Sequence, residues 1–342
     1  MSKTVLLTGA SGFIAKHIAL QLLEAGHHVR GTVRDLSRGA EVLDAVRPHL
    51  SNPEDLETRL TFAALDLTSD DGWDAAMTGV DVLMHTASPF PMVQPKNEDD
   101  LIRPAVDGAL RALRAAHQAG IKRVVLTSST AAISGSELPP GDHAFDETNW
   151  TDPTDPTTSA YTRSKTLAEQ AAWDFVRDEA PGMALTTVNP GFVLGAPLDA
   201  NYGTSIAVIA RILRGKDPML PDIGFSTVDV LDVAEMHVTA IDRPDTVGRR
   251  IMVVDRFMSF QDLAQAIKTA YPDRKIVTRI APDFLIKLLG IFDPAVKSII
   301  PALGRVDKSD NARAMAIFGR GMRRAPQAAV ASAAYLIDNN LA

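Results

Sequence analysis

The chain has 342 residues, enough for about two domains at roughly 150 residues each and for a sizeable core. Hydrophobic residues make up 46% of it and charged residues 23%, ordinary globular usage that excludes a disordered, collagenous or charged-repeat chain. A net charge of −7 gives no general basic field to condense on nucleic acid or an anionic membrane, and the lack of any cysteine excludes disulfides, thiolate metal sites and a thiol nucleophile. The expected compartment is the cytoplasm, and an anionic ligand must be held locally.

Short apolar runs alternate with helical patterns from the first residues. Lys3 followed by Val5-Leu6-Leu7 has the look of a signal peptide's start, but Gly9 and Gly12 interrupt the run, and the segment reads as a strand and turn. Helices are predicted at Phe13 to Ala25, Ser37 to Leu50, Asp71 to Met77, Asp100 to Ala119 and Ala160 to Glu179. Strands are predicted at Thr4 to Leu7, His28 to Val33, Leu60 to Leu65, Val80 to Met84, Val124 to Thr127 and Leu185 to Val188. Gly26, Gly79 and Gly120 each follow a helical stretch, where a left-handed cap is expected. Arg250 to Val254 offers a seventh strand after an irregular excursion from Gly191 to Asp232, and Glu137 to Pro156 reads as a long surface loop.

This alternation predicts an α/β protein with a doubly wound parallel sheet, and its loss after Gly191 predicts a smaller C-terminal domain, the candidate substrate domain. The expected bounds are 1–190 for the dinucleotide-binding domain, with a segment near 226–255 returning to it, and 191–225 with 256–342 for the smaller one. The apolar stretch Phe284 to Leu303 holds Lys287, Asp293, Pro294 and Lys297, so a partly exposed amphipathic helix is expected there, not a bilayer span.

Two glycines and an alanine three apart, Gly9, Gly12 and Ala15, stand where the first strand meets the first helix. Gly9 permits a tight turn, Gly12 lets backbone N–H groups approach a pyrophosphate, and Ala15 allows close helix-sheet packing. A structural turn is the alternative, since tight turns need glycine whatever they bind. At the end of the second strand, Arg34 would neutralise the 2′-phosphate of NADP, with Arg38 a second contact; the alternative has Asp35 on the ribose of NAD and Arg34 solvated. Asp66-Leu67 closes the third strand, where the carboxylate either meets an adenine amino group or caps a helix.

Ser128-Ser129 closes the fifth strand, and Tyr161 and Lys165 lie four apart at the start of the next helix, on one face. An ammonium beside a phenol stabilises phenolate and lowers its pKa, so Tyr161 is a candidate proton donor, with Ser129 holding the reacting oxygen. The weight lies in the conjunction: glycine turn, serine and Tyr-Lys pair all fall at the carboxyl ends of strands of one sheet, where open α/β folds bind ligands.

This set resembles the extended short-chain dehydrogenase/reductases, whose nucleotide-binding half is a Rossmann fold. Gly12-Phe13-Ile14-Ala15, Gly31-Thr32-Val33-Arg34, His85-Thr86-Ala87-Ser88-Pro89, Arg123 to Ser129, Lys165 to Trp173 and Asn189-Pro190 are similar to the dihydroflavonol reductase-like branch, over about residues 3 to 255. The resemblance implies NADPH-dependent reduction of an aldehyde or ketone without metal. Tyr161 would protonate the carbonyl oxygen that Ser129 positions, and Lys165 would bind the nicotinamide ribose. It also implies cofactor contacts from Thr8, Gly9, Ser11, Gly12, Phe13 and Ile14 in the turn. Beyond the turn it adds Thr86, Ala87 and Ser88 after the fourth strand, Leu67 and Thr127 at strand ends, and Pro190 and Val193 beneath the nicotinamide. Phe90, Phe192, Tyr202 and Met219 become candidates for an apolar substrate wall, with core packing their alternative. A small-molecule carbonyl substrate and a homodimer complete what the resemblance implies; nucleic acid and membrane do not enter.

Some positions depart from the wider group. Asp107 stands where many extended members carry Asn, Thr130-Ala131 replaces the Asp-Glu pair of sugar-nucleotide dehydratases, and Ser134 replaces the flavonoid-contacting Asn of plant enzymes. Two rivals keep the fold: an NAD-dependent nucleotide-sugar epimerase, and a non-catalytic NADP-sensing protein. No His-x-x-x-His pair suggests metal; His237 reads as structural and Arg323-Arg324 as a solvated surface pair.

Overall fold

A computed structural model describes residues 1–88 and 97–342 of the chain. Among the described residues ten strands are formed: β1 Thr4–Thr8, β2 His28–Val33, β3 Leu60–Ala64, β4 Val82–His85, β5 Arg123–Thr127, β6 Ala184–Pro190, β7 Phe192–Leu194, β8 Gly224–Asp229, β9 Arg249–Val253 and β10 Arg256–Ser259. Seven make one parallel sheet in the order β3-β2-β1-β4-β5-β6-β9. The order reverses between β1 and β4, which opens a crevice at the carboxyl ends of those two strands.

Parallel strands buried on both faces read as continuous apolar runs, with alternate residues serving opposite faces. Val5 and Leu7 of β1, Val82 and Met84 of β4 and Val125 of β5 belong to one core, which they share with helix Phe13–Glu24 and helix Val230–Asp242. Their neighbours Leu6, Leu83, Val124 and Leu126 belong to a second core on the opposite face, closed by helices Trp73–Met77, Asp99–Gln118 and Ala160–Asp178. These two layers fix the strand ends that carry the site.

A second sheet has the order β10-β8-β7, with β7 parallel and β10 antiparallel to β8. Gly191 joins β6 to β7, and any Cβ there would stand 2.0 Å from the carbonyl oxygen of Ser226, so only glycine lets the chain cross between sheets at this point. The stretch 226–255 serves both sheets, giving most of β8 to the small one and β9 to the large one. Helices Phe260–Ala270 and Ala325–Asp338 pack on each other, and the latter also packs on β7 and β8.

Two expectations are corrected. The stretch 284–303 is not one helix: Asp283–Leu289 and Pro294–Ile299 are separate short helices, with Ile291 and Phe292 exposed at the break and Phe284 exposed at the start of the first. Arg323 is not simply solvated: with Arg320 it is bound to the fully buried Asp232 and to Glu235, because a buried carboxylate needs a paired partner. Among the described residues no helix is long and apolar enough to cross a membrane.

Candidate active site

The glycine turn is shaped by its neighbour across the crevice. Gly9 has φ +67°, and a Cβ on it would lie 3.0 Å from both Cα and Cβ of Ala87, a close approach between the turns after β1 and β4 that excludes other residues. Thr8 ties the two turns together. Its hydroxyl accepts from the N–H groups of Thr86 (3.0 Å) and Ala87 (3.1 Å) and stands 2.9 Å from His85 Nδ1. Two N–H bonds leave the Thr8 proton for that nitrogen, so the His85 proton sits on Nε2. Burial holds His85 down to about 3, hence neutral.

Gly12 opens helix Phe13–Glu24, whose first turn has no side-chain cap and no acidic residue. Its N–H groups and the helix dipole are therefore left to an anion, and the cradle fits a pyrophosphate. The carbonyl of Ser11 accepts from Asn201 Nδ2 at 2.9 Å. Lys16, buried in the same helix, is paired with Asp199 and donates to the Asn201 carbonyl at 3.1 Å. A clasp from residues 199–201 onto the glycine turn was not expected from the sequence. The one signal for it is a lysine within an otherwise apolar helical stripe.

At the end of β2, Arg34 is exposed and makes no hydrogen bond or ion pair among the described residues, its charge reaching Asp66. Asp35 accepts the Ser37 N–H at 2.9 Å and so braces its own turn. Arg38 stands 3.3 Å from Glu41. Asp66 caps no helix: it accepts from the Thr68 N–H (2.8 Å) and hydroxyl (2.7 Å), bonds that keep its carboxyl below the usual range. Leu67 packs under Gly108.

The serine, tyrosine and lysine do come together. Ser159 caps helix Ala160–Asp178 by accepting the Thr162 N–H, which fixes Tyr161 and Lys165 on successive turns. Tyr161 is hydrogen-bonded to Ser129, whose hydroxyl oxygen also accepts the Ala131 N–H at 3.1 Å. Lys165 shares a small cavity with His85, Ala87, Ser88, Thr127 and Ser128. The expected lowering of the phenol is not found. Burial raises Tyr161 and the Ser129 bond only opposes it, while burial lowers Lys165 to about 8 against the charge of Glu169. A lysine held near 8 is still charged at pH 7 but is neutral where the buried phenol titrates, so it does not offset the phenol's burial.

Thr127 offers the crevice no hydroxyl: that group lies 2.7 Å from His237 Nε2, and His237 Nδ1 lies 2.8 Å from the Val233 carbonyl. A carbonyl only accepts, so Nδ1 carries the proton and Thr127 donates to Nε2. Pro190 ends β6, and Val193 is buried in β7. Phe192 stacks on Phe225 at 5.2 Å between centroids, and Tyr202 is half-buried against the larger core. Met219 is half-buried; Phe90 lies outside the described residues. Among the described residues no group of acidic and histidine side chains is clustered to hold a metal.

Residues 5–254 match the family described as NAD dependent epimerase/dehydratase. The chain belongs to that family. A cinnamoyl-CoA reductase of Medicago truncatula is 33% identical over 287 residues, 83% of this chain and 85% of that protein. The structure of the yeast methylglyoxal/isovaleraldehyde reductase Gre2 with NADPH superposes with a TM-score of 0.81 at 24% identity, covering 99% of this chain and 100% of that one. Gre2 of Candida albicans with NADPH superposes at 0.79 with 27% identity, covering 98% and 99%. The expected membership among extended short-chain dehydrogenase/reductases and the expected parallel α/β fold both hold.

Proposed function

We propose that this chain is an NADPH-dependent reductase of aldehydes or ketones, with Tyr161 as proton donor. The observation that carries the reading is the meeting of an uncapped glycine cradle with a hydrogen-bonded Ser129–Tyr161 pair and Lys165, all at the carboxyl ends of β1, β4 and β5. The relatives that bind NADPH or reduce carbonyl groups favour it, and the unpaired Arg34 suits a 2′-phosphate. NADPH supplies the hydride when bound.

The chain's own residues supply the rest. Ser129 holds the carbonyl oxygen of the substrate, and Tyr161 gives that oxygen its hydroxyl proton as negative charge develops there. Burial favours the protonated phenol, the form a donor must have before reduction. Lys165, one turn on, lines the adjoining cavity and would bind a ribose hydroxyl. The reading includes a homodimer, as the family resemblance implies, and the cytoplasm expected of a chain without cysteine, which sedimentation mass and cell fractionation test.

The test is the initial rate of NADPH oxidation with α-dicarbonyls, β-keto esters, aromatic ketones and aliphatic aldehydes, beside NADH and a Tyr161→Phe control. Turnover that prefers NADPH and falls by about 10²- to 10⁴-fold in the variant is expected. Equal turnover in wild type and variant would refute Tyr161 as donor, and no turnover on any carbonyl would refute the reductase.

A further inference from the structure

One carboxylate behind the site gathers more partners than packing requires. Glu169 follows Lys165 by four residues and Tyr161 by eight, on the same face of helix Ala160–Asp178, and is 1% exposed. Its Oε1 accepts from Arg250 Nε (2.7 Å), Thr187 Oγ1 (2.9 Å) and Trp173 Nε1 (3.3 Å). Its Oε2 accepts from Asn189 Nδ2 (2.7 Å) and from the hydroxyl of Ser128, with Arg250 Nη2 at 3.4 Å.

Two of these partners lead straight to Ser129. Ser128 is its chain neighbour, and Asn189 Nδ2 also reaches the Ser129 carbonyl at 3.2 Å. Arg250 leads to the loop beyond. It donates to the carbonyls of Glu147 (3.1 Å), Asn149 (2.6 Å) and Ala132 (3.1 Å) and lies 3.6 Å from the ring centre of Trp150.

We propose that Glu169 is a positioning residue for this site: its carboxylate fixes the strand end that presents Ser129, and it supplies the negative charge against which the Lys165 ammonium stands. The inference rests on the reading of Ser129, Tyr161 and Lys165 as the reacting set. Among the described residues the charges around Lys165 are few. His85 faces it from β4 as a neutral ring, and Tyr161 and Glu169 share its helix. Helix Asp99–Gln118 presents Ala105 and Ala109 to the same cavity, and β6 turns uncharged Thr187 and Asn189 to Glu169. From β9, Arg250 is taken up by Glu169, while Glu147 holds the Met252 N–H and faces Arg313. Among the described residues Glu169 is thus the anion that acts on Lys165, and burial alone would discharge the lysine further.

Two variants separate charge from geometry. Glu169→Gln keeps the shape and removes the charge; Glu169→Asp keeps the charge and shortens its reach to Ser128 and Asn189. The direct readout is the rate at which an amine-acylating reagent modifies Lys165 in the cofactor-free protein, followed against pH by peptide mass spectrometry. In Glu169→Gln the titration of Lys165 should fall by about one unit, so that acylation at pH 7 rises about fivefold. In Glu169→Asp the titration should stay in place while kcat on a carbonyl substrate falls with little change in KM.

Should an unpaired Arg250 keep Glu169→Gln from folding, Glu169→Gln with Arg250→Met removes both charges and should lower the Lys165 titration in the same direction by a smaller amount, since the lost cation partly offsets the lost anion. A Lys165 titration unmoved in the folded Gln variant would overturn the proposal, as would an Asp variant with wild-type kcat. Loss of the reductase reading looks different, because wild type would then turn over no carbonyl while its Lys165 titration still moved with Glu169.

Discussion

Replacing Arg34 by alanine separates the two nicotinamide cofactors. Arg34 is exposed and unpaired among the described residues, so its guanidinium is available to a 2′-phosphate without first breaking a bond. A charge-assisted hydrogen bond contributes about 1.5–3 kcal/mol, and solvent screening keeps an exposed one near the low end, which is roughly ten- to thirtyfold in Kd. Arg34→Ala should therefore weaken NADPH about ten- to thirtyfold and leave NADH within about twofold.

Arg38 differs, because it stands 3.3 Å from Glu41. Leaving that exposed pair costs up to about 1 kcal/mol, so Arg38→Ala should weaken NADPH only about three- to fivefold. The assay is titration of protein fluorescence with each cofactor at two ionic strengths. Added salt should narrow the gap between NADPH and NADH in the wild type and change it little in Arg34→Ala. Equal losses for both cofactors in Arg34→Ala would refute the reasoning, and a loss of NADH alone in Asp35→Ala would return the site to NAD.

Gly9→Ala should lose roughly 1–2 kcal/mol of stability for its left-handed backbone, with more for the contact with Ala87, and should weaken both cofactors alike; thermal melts and the same titrations measure this. Asp199→Asn leaves Lys16 charged and buried without its partner, which should cost about 2–3 kcal/mol in urea unfolding, since Asp199 itself is a quarter exposed. A midpoint shift too small to detect would show that the clasp on the glycine turn carries no energy. Lys165 titrates near 8 in the folded chain against an ordinary 10.5, so the unfolded chain binds more protons between those values. Its penalty on folding is present in full below pH 8 and is relieved as pH rises toward 10.5. Lys165→Met should be more stable than wild type at pH 7, and the difference should shrink in alkaline solution; a constant difference would place the effect in packing alone.

What the sequence discloses follows from the range of each interaction. Seven strands of the large sheet are legible because each carries a short run rich in apolar or β-branched residues, and left-handed glycines such as Gly26, Gly79 and Gly120 mark the ends of the helices between them. Ser129, Tyr161 and Lys165 are legible as a group because a helix puts residues four apart on one face and the sheet puts its strand ends side by side. The three residues of β7 have no period to read, so the small sheet was visible only as a loss of rhythm after Gly191.

Pairings across the fold leave no local trace at all. Lys16 meets Asp199 from 183 positions away, and Glu169 meets Arg250 from 81. Their charges are typical of a solvated surface until folding removes the water. The Tyr161 phenol is raised where its spacing from Lys165 predicts a lowering, for the same reason. Spacing brings an ammonium near the phenol, but burial acts on both, and its size depends on segments that close the crevice from distant parts of the chain. A motif therefore identifies which groups can react, whereas their protonation states are set by buried partners such as Glu169, whose role becomes visible only when β5, β6 and β9 are brought together around it.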